Sequence, residues 1–148
     1  MNRIYTGRSY SGFEVGEVFE SPGRTVTDAQ IVAFAGLSGD FNPLHMDEEY
    51  CKLNTAQGCR IAHGALTFTI SAGLFNTYVD GTCIAFLDLN FKYTKIVKIG
   101  DTLRLEVTVR NKRLTSKQDK GIVEFGVRTL NQNDEAVLEG VWTLMLIL

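Results

Sequence analysis

Cysteine and proline are scarce in this sequence, and both scarcities limit what the chain can be. Its three cysteines, Cys51, Cys59 and Cys83, are odd in number and lack a CxxC spacing. That pattern argues against a disulfide framework or a zinc site and favours free thiols in a reducing compartment, so we expect a cytoplasmic protein. With only two prolines and no repeat, low-complexity tract or Pro/Gly/Ser-rich linker, nothing marks a second domain. Residues 1–148 are therefore predicted to form a single domain, long enough to bury about two-thirds of its unfolded surface.

An excess of charge and long apolar runs are also missing. The formal net charge is −2, which gives no reason to expect nucleic acid or an anionic membrane as a partner. The segment 1–5 lacks the apolar core of a secretory signal. The densest apolar run, 62–75, is interrupted by glycine and threonine and is too short to cross a bilayer. We therefore expect no nucleic-acid partner and no membrane span.

Two kinds of hydrophobic periodicity divide the sequence near residue 78. Before it, Thr27 or Asp28 can cap a helix that ends at Gly39, and Asp47 can cap a short helix. Segment 63–75 is apolar or small on every face, which predicts a helix inside the protein. After residue 78, alternate positions are apolar, as in half-buried antiparallel strands. The pattern predicts an α+β fold, in which about four long strands curve around one buried helix.

The first candidate site is the segment Gly39–His45, whose sequence is Gly-Asp-Phe-Asn-Pro-Leu-His. Pro43 disfavours helix for itself and for Asn42, so we expect a tight loop in which Asp40 and His45 converge. A carboxylate beside a histidine provides an acceptor and a proton shuttle near neutral pH. The pair can therefore activate water, although an Asx-turn and a histidine bonded to a buried carbonyl would fit the same residues.

The second candidate site is the start of the predicted buried helix, at His63-Gly64. The amide of Gly64 would be one of the unpaired donors at a helix start, and glycine lets a ligand approach the backbone closely. A substrate carbonyl placed there would find an oxyanion site. Alternatively, Gly64 only permits tight packing.

Two other clusters have weaker support. A metal site built from His45, Asp47, Glu48 and His63 has no HExxH or similar spacing behind it, and we predict no metal. The lysines of segment 92–98 are usual for a solvated face, but they are also placed to meet the phosphates of a nucleotide-bearing thioester.

Taken together, these motifs resemble the MaoC-like (R)-specific enoyl-CoA hydratases, which have the hot-dog fold. The resemblance runs through 34–45, resumes at 61–64 and returns at 99–103. It spans most of the chain, and its Gly-Asp-x-Asn-Pro-x-His core is specific. The resemblance implies a single hot-dog domain that reversibly hydrates 2-enoyl-CoA to (R)-3-hydroxyacyl-CoA. It also implies that no cofactor is required and that two copies pair their sheets side by side, in a homodimer or a higher homo-oligomer.

Carried over residue by residue, the resemblance implies that Asp40 and His45 hold and activate the attacking water. It implies that the Gly64 amide polarises the thioester carbonyl. Asn42 is assigned, with Gly64, to the substrate-binding part of the site, and it shapes the loop together with Pro43. The chain departs from the family pattern twice. Ala72 stands where these hydratases often carry a serine, and Ile96 stands where a proline is common.

Three other functions remain open at the level of sequence. A dehydratase acting on acyl-carrier-protein thioesters would share the Asp40–His45 pair and differ in its docking surface. A hot-dog thioesterase usually relies on an acidic residue of the central helix, and no Asp or Glu occurs between His63 and Tyr78. A non-catalytic acyl-thioester binding module would be expected to have lost Asp40 or His45.

Overall fold

The computed structural model describes residues 6–148, so the expectation for segment 1–5 lies outside the described residues. The helices and strands, after a short 3₁₀ turn at Tyr10–Gly12, are β1 (Val18–Glu20), β2 (Arg24–Thr25), α1 (Asp28–Ser38), α2 (Pro43–Met46), α3 (Glu48–Asn54), α4 (Gly64–Val79), β3 (Cys83–Tyr93), β4 (Thr102–Leu114), β5 (Gly121–Leu130) and β6 (Ala136–Leu146). The α+β prediction is confirmed.

The strands form one antiparallel sheet in the order β1-β4-β5-β6-β3, with β2 paired to the end of β4. The four long strands β3–β6 are those expected from the alternating pattern. The alternating pattern of residues 13–20 is typical of a strand, but its first half is not one, because Gly16 adopts a φ of 91° and interrupts the extended backbone. Only Val18–Glu20 pairs with β4, and Phe13 is instead fully buried in the core.

The sheet curves around α4, which supplies the centre of the hydrophobic core. In β4 the side chains facing the helix are those that alternation predicts, and all four are fully buried: Leu103, Leu105, Val107 and Val109. Trp142 of β6 and Phe75 of α4 meet between the two layers, with ring centroids 5.4 Å apart. The central helix therefore packs against the inner face of the sheet.

The expectation that α4 is enclosed on all sides is only half correct. One face is buried, including Ile70, Leu74 and Phe75, whereas Ala65 and Thr69 are exposed. A single sheet covers only one side of a helix, so the small residues of the other side remain open in the single chain. This face is available to a second layer.

Strand β3 forms an edge of the sheet and departs from strict alternation. Its pairing with β6 shifts register between Cys83 and Ala85 and again between Phe86 and Asp88. Each shift moves the following side chains relative to the pleat. As a result Leu87, which strict alternation from Cys83 would place on the inner face, is 46% exposed. Among the described residues, no helix combines the length and apolar character that a bilayer crossing requires.

Candidate active site

The segment that carries Asp40 and His45 lies between two helices, α1 and α3, whose capped ends fix where it begins and ends. Thr27 and Gln30 form a capping box at the start of α1, and Gly39 ends this helix in the left-handed conformation with a φ of 78°. Asp47 then caps α3 by accepting from the Tyr50 amide at 2.8 Å. The caps predicted from the sequence are confirmed, and Gly39 and Asp47 bracket a segment of only seven residues, 40–46.

The prediction that this segment contains no helix is wrong for its second half. Residues Pro43–Met46 form one helical turn, with Pro43 in its first position and Asn42 as its N-cap. Proline is tolerated there because that amide has no intrahelical partner. The Asn42 side-chain oxygen accepts from the Leu44 amide at 3.0 Å. His45 therefore projects from a short helix, while Asp40 lies in the loop before it.

Asp40 and His45 converge as predicted. The distance from Asp40 Oδ2 to His45 Nε2 is 3.8 Å, which is beyond a direct hydrogen bond and leaves room for a water molecule that contacts both atoms. The carboxylate is half exposed, whereas His45 is 8% exposed. The pair thus presents one solvent-facing acceptor and one sheltered ring nitrogen to the same small volume.

The orientation of the His45 ring is fixed by its other nitrogen. Nδ1 lies 2.8 Å from the carbonyl oxygen of Ile61. Since a carbonyl only accepts, Nδ1 must carry a hydrogen and donate it. In the neutral ring Nε2 then holds the lone pair, and it faces Asp40. This is the tautomer that can accept a hydrogen bond from water held by the carboxylate.

Two residues that the sequence reasoning did not assign to the site hold the segment from outside. His63 is 1% exposed, donates from Nε2 to the backbone carbonyl of Asp40 at 2.9 Å, and stacks on His45 with ring centroids 3.8 Å apart. Arg60 donates to the backbone carbonyl of His45 at 3.3 Å and pairs with Asp28 at 2.7 Å. No local spacing predicts these contacts, because they span up to 32 positions of the chain.

Gly64 begins α4, as expected, directly after His63. No side chain caps this helix start, and the first amide bonded within the helix is that of Thr67, which donates to the carbonyl of His63 at 3.0 Å. In the described part of the chain the Gly64 amide has no acceptor, so it is free for a ligand. It borders a groove of about 380 Å³ whose lining also includes Ile61, Thr67 and Tyr93.

The predicted absence of a metal stays a prediction. Ligand atoms of Asp40, His45 and His63 lie within 4.8 Å of one another. However, the two imidazole planes are stacked at 28°, and ring lone pairs lie in the ring plane, so they do not converge on one ion. Among the residues that the structure describes, His63 Nδ1 has no hydrogen-bond partner, and it is buried away from solvent. The cluster is better suited to hold the loop than to hold a cation.

A buried thiol lies beneath the short helix α2. Cys51 is fully buried, and its Sγ lies 3.5 Å from the carbonyl oxygens of both Pro43 and Leu44. Burial raises the pKa of the Cys51 thiol, and the carboxylates of Glu48 and Asp47 raise it further. The thiol is therefore a protonated, weak donor that supports the backbone of the loop.

Comparison with solved structures identifies the class of fold. A Mycobacterium tuberculosis protein described as having a double hotdog fold matches with a TM-score of 0.86 at 22% identity, covering 96% of this chain and 44% of that one. The (R)-hydratase of Pseudomonas aeruginosa matches with a TM-score of 0.78 at 30% identity, covering 94% and 85%. The curved sheet around a central helix is a hot-dog fold.

The sequence comparisons identify the family within that fold. The family model described as "MaoC like domain" matches residues 12–131. A protein named (R)-specific enoyl-CoA hydratase, from Rhodospirillum rubrum, is 33% identical over 122 residues, which cover 82% of this chain and 81% of that protein. The chain belongs to the MaoC-like family, and it is an enzyme of the hydratase and dehydratase class.

Proposed function

We propose that this enzyme hydrates 2-enoyl-CoA reversibly to (R)-3-hydroxyacyl-CoA, with Asp40 and His45 activating water. The observation that carries the proposal is the 3.8 Å separation of Asp40 Oδ2 and His45 Nε2, with His45 fixed in the tautomer that faces the carboxylate. A water held between the two atoms has its hydrogens directed at both and a lone pair free to attack carbon.

The reaction then proceeds without a cofactor, because the thioester itself makes C3 electrophilic and C2 able to hold charge. Water adds its oxygen to C3 and loses a proton to Asp40. The electrons of the double bond move onto the thioester oxygen, which accepts a hydrogen bond from the Gly64 amide. A proton returns from the Asp40–His45 pair to C2, and the pair regains its original state. Asn42 contributes by capping α2, which sets the direction of His45.

The carrier of the acyl group is proposed to be CoA. Of the lysines considered for phosphate binding, Lys92 already pairs with Glu139 at 3.2 Å, and Lys95 pairs with Glu135. A phosphate contact at Lys92 or Lys95 therefore competes with these carboxylates. A dehydratase for acyl-carrier-protein thioesters is the second candidate, since the same chemistry serves either carrier.

A thioesterase is less well supported. The exposed and buried positions of α4 (Gly64–Val79) include no carboxylate, so the helix offers no acidic group for attack on the thioester carbonyl. A binding module without activity is also disfavoured, because Asp40, His45 and the free Gly64 amide are all in place.

We further propose a homodimer formed through the edge strand β3. This edge is eleven residues long and exposes Ile84, Phe86 and Leu87. An apolar edge of that length is prone to pair with another chain, and an antiparallel pair of β3 strands would join two sheets.

A single domain over 1–148 is supported by one core cluster that extends from Phe13 to Leu146. The three free thiols fit a cytoplasmic location.

The test is loss of the conjugated enoyl-thioester absorbance with crotonyl-CoA, measured beside a thiol-release assay. We expect absorbance loss without free thiol, and a product that an (S)-specific 3-hydroxyacyl-CoA dehydrogenase does not oxidise. Asp40→Asn keeps the oxygen that accepts from the Asn42 amide but removes the base, so kcat should fall about 10²–10⁴-fold.

Glu49→Gln is the matched control, since Glu49 is an exposed carboxylate of α3 that pairs with Lys52 and lies outside the proposed site. Its kcat should equal that of the wild type. Release of free thiol by the wild type would instead indicate that the enzyme is a thioesterase. An Asp40→Asn variant with wild-type kcat would remove Asp40 from the mechanism.

A further inference from the structure

The side chain of Tyr93, at the end of β3, lies directly against the start of α4. A Cβ placed on Gly64 would be 3.0 Å from Tyr93 Cζ, 3.1 Å from Cε2 and 3.4 Å from Cε1. The closest of these atoms, Cζ, is the one that bears the hydroxyl. The hydroxyl end of the ring, rather than its base, is therefore the part that adjoins Gly64.

The hydroxyl group of Tyr93 is also free to bind a ligand. Among the described residues it has no hydrogen-bond partner, whereas the hydroxyl of Tyr78 donates to the carbonyl of Glu20. The Tyr93 side chain is half exposed. Partial burial raises the pKa of Tyr93 above its usual value, so the group keeps its proton at neutral pH and can donate it to an acceptor.

The other hydroxyls that line the groove beside Gly64 are already committed. Thr67 donates to the carbonyl of His63 at 3.3 Å, and Thr94 donates to the carbonyl of Ala136 at 2.6 Å. In the part of the chain that the structure describes, Tyr93 is the groove-lining hydroxyl with a free hydrogen. An oxygen bound at the Gly64 amide would lie beside it.

An enolate oxygen gains from a second donor. Charge develops on the thioester oxygen only as water adds, so a donor aimed at that oxygen stabilises the transition state more than the substrate. A single backbone amide leaves the remaining lone pairs of the oxygen without a partner in a groove that is lined partly by Ile61, Ile96 and Val97. A phenol hydroxyl within reach would fill this role without transferring its proton.

We propose that Tyr93 is a further catalytic residue, whose hydroxyl donates to the thioester oxygen beside the Gly64 amide. This inference rests on the hydration proposed above. As the oxygen of water bonds to C3, the electrons of the double bond move to the thioester oxygen, which then accepts hydrogen bonds from both donors. Tyr93 keeps its proton throughout, and the proton for C2 still comes from the Asp40–His45 pair.

The test is Tyr93→Phe, which keeps the ring against Gly64 and deletes only the hydroxyl. With crotonyl-CoA we expect kcat to fall about 10²–10³-fold, as when one oxyanion donor is lost, with KM changed less than about twofold. The affinity for butyryl-CoA, a saturated analogue that cannot be hydrated, should stay near that of the wild type. Tyr50→Phe, on the exposed side of α3, is the matched control and should leave kcat unchanged.

Several outcomes would overturn the inference. A Tyr93→Phe enzyme with wild-type kcat would show that the ring acts only as a wall of the groove. An equal loss in butyryl-CoA affinity and in kcat/KM would assign the hydroxyl to ground-state binding instead. In both cases an active wild type leaves the proposed hydration intact, whereas a wild type inactive on enoyl thioesters would overturn the hydration and this inference together.

Discussion

The two halves of the proposed active site are positioned by different forces. The loop end of the Asp40–His45 segment is exposed, whereas His45 is buried. The segment is held by a few polar contacts, chiefly those from Arg60 and His63. The helix that presents Gly64 is held by apolar packing along its whole length, with Phe75 fully buried at its far end. We therefore expect that the loss of one hydrogen bond can displace the first half, whereas the position of the second half should withstand such a loss.

The largest effect is expected on the stability of the protein, when the apolar packing of α4 is disrupted. Phe75→Ala removes a ring that packs against Phe125 and Trp142 with centroids 5.0 and 5.4 Å away. The cavity should lower the free energy of unfolding by about 3–5 kcal/mol. Residue 75 is eleven positions beyond Gly64, or about 16 Å along the helix, so kcat per folded molecule should be unchanged.

Denaturant unfolding and kcat at a temperature well below the transition would check this prediction. Phe75→Leu, which fills more of the same space, should show a smaller loss of stability and the same kcat. A large fall in kcat for folded Phe75→Leu would mean that core packing also sets the geometry of the site.

A smaller effect, now on activity, is expected from Arg60→Met. The variant loses the hydrogen bond to the His45 carbonyl while it keeps much of the apolar stem. A shift of His45 by a fraction of an ångström should lower kcat about 10- to 100-fold with little change in KM. Because Arg60 acts through His45, it is a positioning residue, and the pH profile of kcat/KM should shift in the variant.

Asp28→Asn is the matched control for Arg60, since it weakens the 2.7 Å ion pair between the two side chains but leaves the contact with His45. Activity should be retained in this control. If both variants lost activity equally, the ion pair rather than the bond to His45 would carry the effect.

The smallest effect is expected from Ser71→Ala in α4. Ser71 Oγ donates to the Thr67 carbonyl at 2.8 Å, so the hydrogen of the Thr129 hydroxyl, also 2.8 Å away, is directed at Ser71. Both residues are fully buried. The substitution leaves Thr129 unpaired and should cost about 1–2 kcal/mol of unfolding free energy with kcat unchanged.

Adding Thr129→Val removes the orphaned hydroxyl and should recover part of that loss. A double-mutant cycle on the free energy of unfolding measures the coupling. Additive losses would mean that the two hydroxyls do not interact, and a fall in kcat would place Ser71 in the site.

Local rules were sufficient to predict most of the fold. The caps at Thr27, Gly39 and Asp47 and the alternation of β4 each depend on neighbouring residues, and all appear where expected. The turn of helix at Pro43–Met46 was missed. Proline is disfavoured in the interior of a helix, but it is well tolerated at the first position, which Pro43 occupies. The register shifts in β3 were missed because a bulge leaves no mark on composition.

The residues of the proposed site can be named from the sequence less completely than the elements of the fold. Asp40, His45 and Gly64 belong to short segments whose chemistry can be recognised in the sequence. Arg60, His63 and Tyr93 reach the site only through the tertiary structure. His63 was noted as the residue before the helix, yet its bond to the Asp40 carbonyl joins positions 23 residues apart. Tyr93 meets Gly64 because β3 ends beside the start of α4.

The buried thiol of Cys51 can report how often the segment 43–54 opens. Its sulfur is sealed beneath the carbonyls of Pro43 and Leu44, and its raised pKa keeps it in the unreactive protonated form. An alkylating reagent can reach it only when the 43–54 segment transiently detaches from the rest of the protein. The rate of modification at this position thus follows how often the segment that carries His45 departs from its working position.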